Sequence, residues 1–232
     1  REAITHSQLD HPNVLPFLGL YHETAESPPL TIVPYIDGSS LLGLLAPAPS
    51  IDTGTFQRVL LDVTDGVNYL HSLLPPVIHG DLHPGNVLLN QEGKAYLCDF
   101  GLSRVRHEVS RTRTNRVNGG STRFLAPELT DSPDAKFRTT SQSDIYSLAM
   151  LLFYMGTGER PFSQIELEWK VAVASVGGNR PEMPTSSRIV IPQMMKESFW
   201  SLLGKMWAHE PANRPTSGDV LKQVKGMMML KA

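Results

Sequence analysis

Cysteine is almost absent from this sequence: Cys98 is the only one in 232 residues, so no internal disulfide framework can form. That usage suits a reducing compartment, and a cytoplasmic location is expected. An excess of either charge is also missing, with 23 acidic against 21 basic residues and a formal net charge of −2. The balance excludes the strong basic field of a nucleic-acid or anionic-lipid binder, so no nucleic-acid partner is expected. Long apolar runs are lacking too. The longest, Leu148–Met155, is far too short to cross a bilayer, and no membrane segment is expected. Signal-peptide and lipidation patterns, internal repeats and low-complexity stretches are likewise not found. What remains is an ordinary globular composition, 41% hydrophobic and 19% charged, in a chain long enough to bury a sizeable core.

Along the chain, Arg1–Leu9 reads as the end of a helix stopped before His11-Pro12. The apolar runs Val14–Leu20 and Leu30–Val33 flank a polar segment and read as strand, loop, strand. Phe56, Val59, Leu60, Val63, Val67 and Leu70 fall at helical spacing and predict one buried stripe. Val87-Leu88-Leu89 and Ala95-Tyr96-Leu97 predict a small hairpin around Asn90–Lys94. Ile145–Met155 is apolar on nearly every face, as a buried helix would be, with Gly156 and Gly158 as its stop. Phe199, Leu202, Leu203, Met206 and Trp207 form a further stripe, and Thr216 with Asp219 is a helix-start pattern. The stretch Arg104–Ser121 is polar and too long for an ordinary turn.

Three short motifs carry chemistry. They are His79-Gly80-Asp81-Leu82-His83-Pro84-Gly85-Asn86, then Asp99-Phe100-Gly101, then Ala126-Pro127-Glu128. Each alone is weak. Phosphoryl transfer, however, needs a carboxylate to position an acceptor hydroxyl, oxygen ligands for a metal that bridges phosphates, and fixed geometry. In this order and spacing the motifs supply all of these.

The set resembles the catalytic loop and the DFG and APE motifs of eukaryotic protein kinases, with features of the tyrosine-kinase-like branch and of serine/threonine enzymes. The resemblance implies an α+β, protein-kinase-like fold. Residues 1–36 would be a remnant of the β-rich N-lobe, holding the end of a helix, two strands and a hinge, and residues 37–228 the helical C-lobe. The glycine-rich loop and the lysine strand would precede Arg1, so the chain is read as a fragment expected to bind ATP weakly by itself. The resemblance further implies ATP and Mg²⁺ as cofactors and a protein substrate as partner. Asp81 would orient the acceptor hydroxyl, and Asn86 and Asp99 would hold Mg²⁺. Glu2 would be the helix glutamate that pairs with a strand lysine. Val33 would be the gatekeeper and Pro34–Ile36 the hinge that meets adenine, with Leu88 beneath the ring, and Ser121 would lie near the peptide. Asp144 would cap the catalytic-loop backbone, and Arg214 would pair with Glu128.

Three positions depart from the family pattern. Gly80 replaces an arginine that gathers an activating phosphate. His83, counted among the catalytic residues with Asp81 and Asn86, stands where a lysine usually touches the transferred phosphate. A neutral imidazole brings one hydrogen bond and no full charge, which implies slower chemistry than lysine would give. His6 also falls where the family's internal apolar spine, with Phe17, His79 and Phe100, has an aliphatic residue. Three functions follow. The first is transfer of the ATP γ-phosphate to Ser or Thr hydroxyls of proteins, with Tyr as the lesser option. The second is a pseudokinase acting as a scaffold. The third is a small-molecule phosphotransferase, whose catalytic loop is similar but which lacks the Glu128, Asp144 and Arg214 set.

Overall fold

The computed structural model describes residues 6–24, 27, 29–45, 51–99, 122–130, 139–184 and 191–229. The chain enters along Leu9–Leu15, whose backbone is bonded to Leu97 of a later strand. Val14 forms a parallel bridge with Leu97, Leu15 N–H donates to Leu97 O at 2.8 Å, and Leu97 N–H donates to Asn13 O at 2.9 Å. The side chain of Asn13 adds a bond to Ala95 O at 3.0 Å. The apolar run from Val14 is therefore divided: its start is part of this seam, and only Gly19–Tyr21 is strand β1. It pairs antiparallel with β2, Leu30–Ile32.

A second sheet, separate from the first, has the order β3 (Gly38–Ser40), β4 (Val87–Asn90), β5 (Ala95–Leu97), all antiparallel. The β4–β5 hairpin is the one expected from sequence. Alternation along β4 buries Val87 and Leu89 and leaves Leu88 half-buried on the opposite face.

Helices, joined by turns and irregular segments, dominate the rest of the described chain. After the short α1, Leu41–Leu45, comes α2, Thr53–Ser72. Asp52 caps α2 by accepting from the Gly54 and Thr55 amides at 2.7 and 3.0 Å. Phe56, Val59, Leu60, Val63, Val67 and Leu70 are all buried, as their spacing predicts. The ring of Phe56 meets Phe199 edge-on at 5.7 Å. Burying such a side chain contributes about 2–3 kcal/mol. Helix α3, Ser141–Thr157, is closed by a Thr140–Ser143 capping box and is buried along almost its whole length. Gly158, at φ 71°, ends it in the left-handed region. Gly156 does not act as a stop. It lies inside the helix, where an added Cβ would stand 3.0 Å from Ile191 Cδ1.

Helices α4 (Glu168–Val176), α5 (Lys196–Met206) and α6 (Ser217–Met228) complete the array. The Thr216–Asp219 capping box starts α6 as expected. Helix α2 lies at the centre, against β5 on one side and α6 and α3 on the others, while α5 packs on α3 and α6. Gly66 makes the α2–β5 approach possible: a Cβ there would lie 2.9 Å from Leu97 Cδ1 and 3.0 Å from Asn13 O. This arrangement, an α+β fold with small antiparallel sheets and a mostly helical body, matches the expected class.

Candidate active site

The site is assembled from the loop between α2 and β4. Its backbone is held from below by Asp144, in the first turn of α3 and 1% exposed. Asp144 Oδ2 accepts the His79 N–H and Oδ1 accepts the Gly80 N–H, both at 2.8 Å. His71, in the last turn of α2, donates from Nε2 to Oδ2 at 3.0 Å. Three donors thus satisfy a carboxylate that could not otherwise remain charged in the interior. The expected capping role of Asp144 has direct geometry behind it.

At Gly80 φ is 78°, a left-handed value that glycine adopts without steric cost. The residue that lacks the usual arginine is therefore also suited to this backbone turn. His79 is fully buried, and burial pushes its imidazole down from the ordinary value against the upward pull of Asp144, Asp81 and Asp99. Its Nδ1 accepts the Asp81 N–H at 3.3 Å.

Beyond Asp81 the chain makes a 3₁₀ turn, Pro84–Asn86, with proline at its first position. His83 caps it: Nδ1 accepts the Gly85 N–H at 3.0 Å, and the His83 carbonyl accepts the Asn86 N–H at 2.9 Å. Asn86 then donates from Nδ2 to Asp81 O at 2.9 Å. That bond commits the amide nitrogen and leaves Oδ1 as the atom offered to a cation. The side chains of Asp81 and His83 are about a quarter exposed, and His83 Nε2 stands 3.9 Å from Asp81 Oδ2.

Asp99 joins this group through the hairpin. The Cys98 N–H donates to Asn86 O at 3.0 Å, which places the residue after Cys98 beside the Asn86 end of β4. Asp99 itself is exposed, with φ 58°. A non-glycine residue held in the left-handed region is uncommon and costs conformational energy. Asp81, His83, Asn86 and Asp99, separated in sequence, are thus brought to one place. An amide oxygen and a carboxylate are hard donors, and Mg²⁺ is commonly held by one or two such groups together with substrate phosphates. Among the described residues no three His, Cys, Asp or Glu side chains cluster as a metal cage.

The residues expected to face adenine lie along the chain leading to this point. Val33, Pro34 and Ile36 lie in the extended segment between β2 and β3, with Val33 36% exposed. Leu88 sits on the half-buried face of β4, opposite Ser40 of β3. Glu2, Phe100, Gly101, Arg104 and Ser121 lie outside the described residues. The expected contact of His6 with Phe17 is present, at 5.3 Å between rings.

A second platform faces the loop. Phe124, in the 3₁₀ turn Thr122–Phe124, has its ring 6.4 Å from that of His83. The turn Pro127–Leu129 follows, and Glu128 meets Arg214 through two bonds of 2.7 and 2.8 Å. Sequence reasoning missed Arg123. It is 7% exposed and donates to Phe162 O at 2.7 Å, Ile165 O at 2.6 Å, Pro161 O at 3.0 Å and Glu168 Oε1 at 2.8 Å. A single guanidinium thereby ties this platform to the loop before α4 and to α4 itself. Only its place next to Phe124, just ahead of the Ala-Pro-Glu motif, hinted that Arg123 would be buried.

The profile of the protein kinase domain family matches residues 1–224. Among known proteins, the chain is 30% identical over 231 residues to "Probable serine/threonine-protein kinase drkC" of Dictyostelium discoideum, covering 98% of this chain and 29% of that protein. It is 32% identical over 225 residues to serine/threonine-protein kinase TNNI3K of Mus musculus, covering 97% and 25% respectively. It is 30% identical over 226 residues to serine/threonine-protein kinase CTR1 of Arabidopsis thaliana, covering 95% and 25%. The chain therefore spans between a quarter and a third of the length of these relatives. With its catalytic loop, capping aspartate and Glu128–Arg214 pair in place, the chain belongs to the protein kinase domain family.

Proposed function

We propose that this domain transfers the γ-phosphate of ATP to Ser or Thr hydroxyls of protein substrates, with Asp81 orienting the attacking hydroxyl and accepting its proton. The observation that carries the reading is the junction of Asp81, Asn86 and Asp99, secured by the Asn86-to-Asp81 and Cys98-to-Asn86 bonds. Mg²⁺, when bound, would neutralise charge on the phosphates. Asn86 Oδ1 and the Asp99 carboxylate are the groups that would hold it. Val33 would be the gatekeeper and Pro34–Ile36 the hinge that meets adenine, with Leu88 beneath the ring; Glu2, in the N-lobe portion, residues 1–36, would pair with a strand lysine. Residues 37–228 would carry the chemistry.

The serine/threonine assignment follows the names of the relatives and Pro84 in the catalytic loop, and with it the tyrosine-kinase-like branch reading. A protein rather than a small-molecule acceptor is favoured by the built Glu128–Arg214 pair and by the platform at Thr122–Phe124. The buried Cys98 thiol fits a reducing, cytoplasmic setting. No described helix is long and apolar enough to cross a membrane.

The test compares the completed kinase domain that carries this chain with its Asp81→Asn form in a radiolabelled ATP assay on a mixed Ser, Thr and Tyr peptide library. Labelled Ser or Thr in the parent, with a loss of about 10³-fold or more in the variant, is the expected result. Mg·ATP bound by both proteins with no label transferred by either would leave only a nucleotide-binding scaffold.

A further inference from the structure

Position 83 places a histidine where lysine is usual, and by composition alone lysine should serve a phosphate better. The ring's hydrogen bonds assign it other work. A backbone N–H can only donate, so the bond from Gly85 N to His83 Nδ1, 3.0 Å, puts a lone pair on Nδ1 and the proton on Nε2. The ring is therefore the neutral Nε2–H tautomer, pinned by one edge into the turn.

The turn is built for that ring. Pro84 has no amide to satisfy, the Gly85 amide is taken by the imidazole, and the Asn86 amide by the His83 carbonyl. Gly85 has to lack a Cβ, because a methyl there would stand 2.7 Å from His83 Cε1 and 3.0 Å from Nδ1. The opposite edge carries Nε2 to 3.9 Å from Asp81 Oδ2. One rigid side chain is thus bonded to the turn that presents Asn86 and brings its other edge near the Asp81 carboxylate. Lysine has no acceptor and could not cap the turn.

We infer that His83 is a positioning residue and not a phosphate contact: a neutral cap that fixes the Pro84–Asn86 turn and sets the approach of its Nε2–H to Asp81. This rests on the phosphoryl-transfer reading for its kinetic consequence, but not for its structural one. His83→Ala removes both functions. His83→Asn restores a cap acceptor, since asparagine is among the best N-caps. His83→Lys restores only a charge able to reach phosphate.

The experiment measures kcat and KM for ATP in the parent and the three variants, and amide hydrogen exchange at Gly85 in the same samples. His83→Ala and His83→Lys should each lose about tenfold or more in kcat with KM little changed, as misplacement of a reacting group does. His83→Asn should recover most of that loss. Gly85 should exchange about fivefold faster in the Ala and Lys variants than in the parent and the Asn variant, the change expected for a lost cap. A Lys variant as fast as the parent, with Asn as slow as Ala, would overturn the inference in favour of phosphate contact. Gly85 exchange indifferent to all three changes would overturn it whatever the activities. If no protein turns over, the parent included, while Gly85 exchange follows the cap series, the kinase reading fails and the capping role stands.

Discussion

Arg214 grips Glu128 with both arms of its guanidinium, Nη1 to Oε1 at 2.7 Å and Nη2 to Oε2 at 2.8 Å, although the two residues are 86 positions apart. The same guanidinium donates to the carbonyls of Ala208, Gln142 and His209 and lies 5.1 Å from the Tyr146 ring centre. Its side chain has no exposure, while Glu128 keeps 29%. Truncating the carboxylate would strand a buried cation. Glu128→Ala should therefore destabilise by about 3 kcal/mol, the low end for a broken buried pair because Glu128 is partly hydrated. Urea unfolding followed by circular dichroism measures it; a loss below 1 kcal/mol would mean that the carbonyls alone suffice.

Asp144 and Asp81 should separate under the same assay. Asp144→Asn turns an amide toward the His79 and Gly80 N–H donors and the His71 Nε2–H, which it can satisfy only in part. Loss of these charge-assisted bonds should cost about 3 kcal/mol of stability together with turnover. Asp81→Asn should cost turnover with the urea midpoint almost unchanged. Equal stability in the two variants would refute the capping role of Asp144.

Gly66→Ala tests the tightest approach in the core. The new methyl would meet both the Leu97 side chain and the Asn13 carbonyl. One of these partners is backbone, so relief requires moving α2 away from β5. A loss of about 2 kcal/mol is expected from such overpacking, despite alanine's better helix propensity. A stabilised variant would show that this contact yields easily.

Acid should weaken the helix starts before it reaches the core. The Thr55 amide and hydroxyl and the Gly54 amide hold the Asp52 carboxyl below its ordinary value; the Thr216 hydroxyl and amide do the same for Asp219. A carboxyl lowered in the folded state stabilises fully above its ordinary value of 3.8. That contribution disappears as pH falls through the lowered one. Asp52→Asn, which keeps an acceptor without titrating, should flatten the decline of the urea midpoint below about pH 4. An unchanged slope would dissociate Asp52 from the acid response.

Cys98 should be inert in the native protein. Burial first, and then the neighbouring Asp99, push its thiol up to about 12, so thiolate is scarce at neutral pH. Iodoacetamide should label it at pH 8 only after urea is added. Stoichiometric labelling of folded protein within minutes would contradict this.

Much of this was written in periodicity and motif. The six apolar positions of α2 are all buried, the β4–β5 hairpin stands where expected, and Asp144 and Arg214 hold the partners their motifs implied. What escaped prediction depends on partners distant in the chain. The run beginning at Val14 looks like one strand, but Val14 and Leu15 bond to Leu97. Helix α4 buries only Val171 and Ser175 and exposes Trp169 and Val173, so no stripe marks it. Arg123 reads as a surface cation because its carbonyl acceptors are residues 161–166, set by a loop that no local pattern specifies.

The seam between Asn13–Leu15 and Leu97 has a mechanical meaning. Three backbone or side-chain bonds lock these segments, and Asp99 is only two residues beyond Leu97. Any tilt of the β1–β2 ribbon must either flex the few residues after Leu15 or pull directly on β5, whose end at Leu97 leads straight to Asp99. The ribbon is therefore a short-armed lever whose fulcrum sits almost on the acidic group itself.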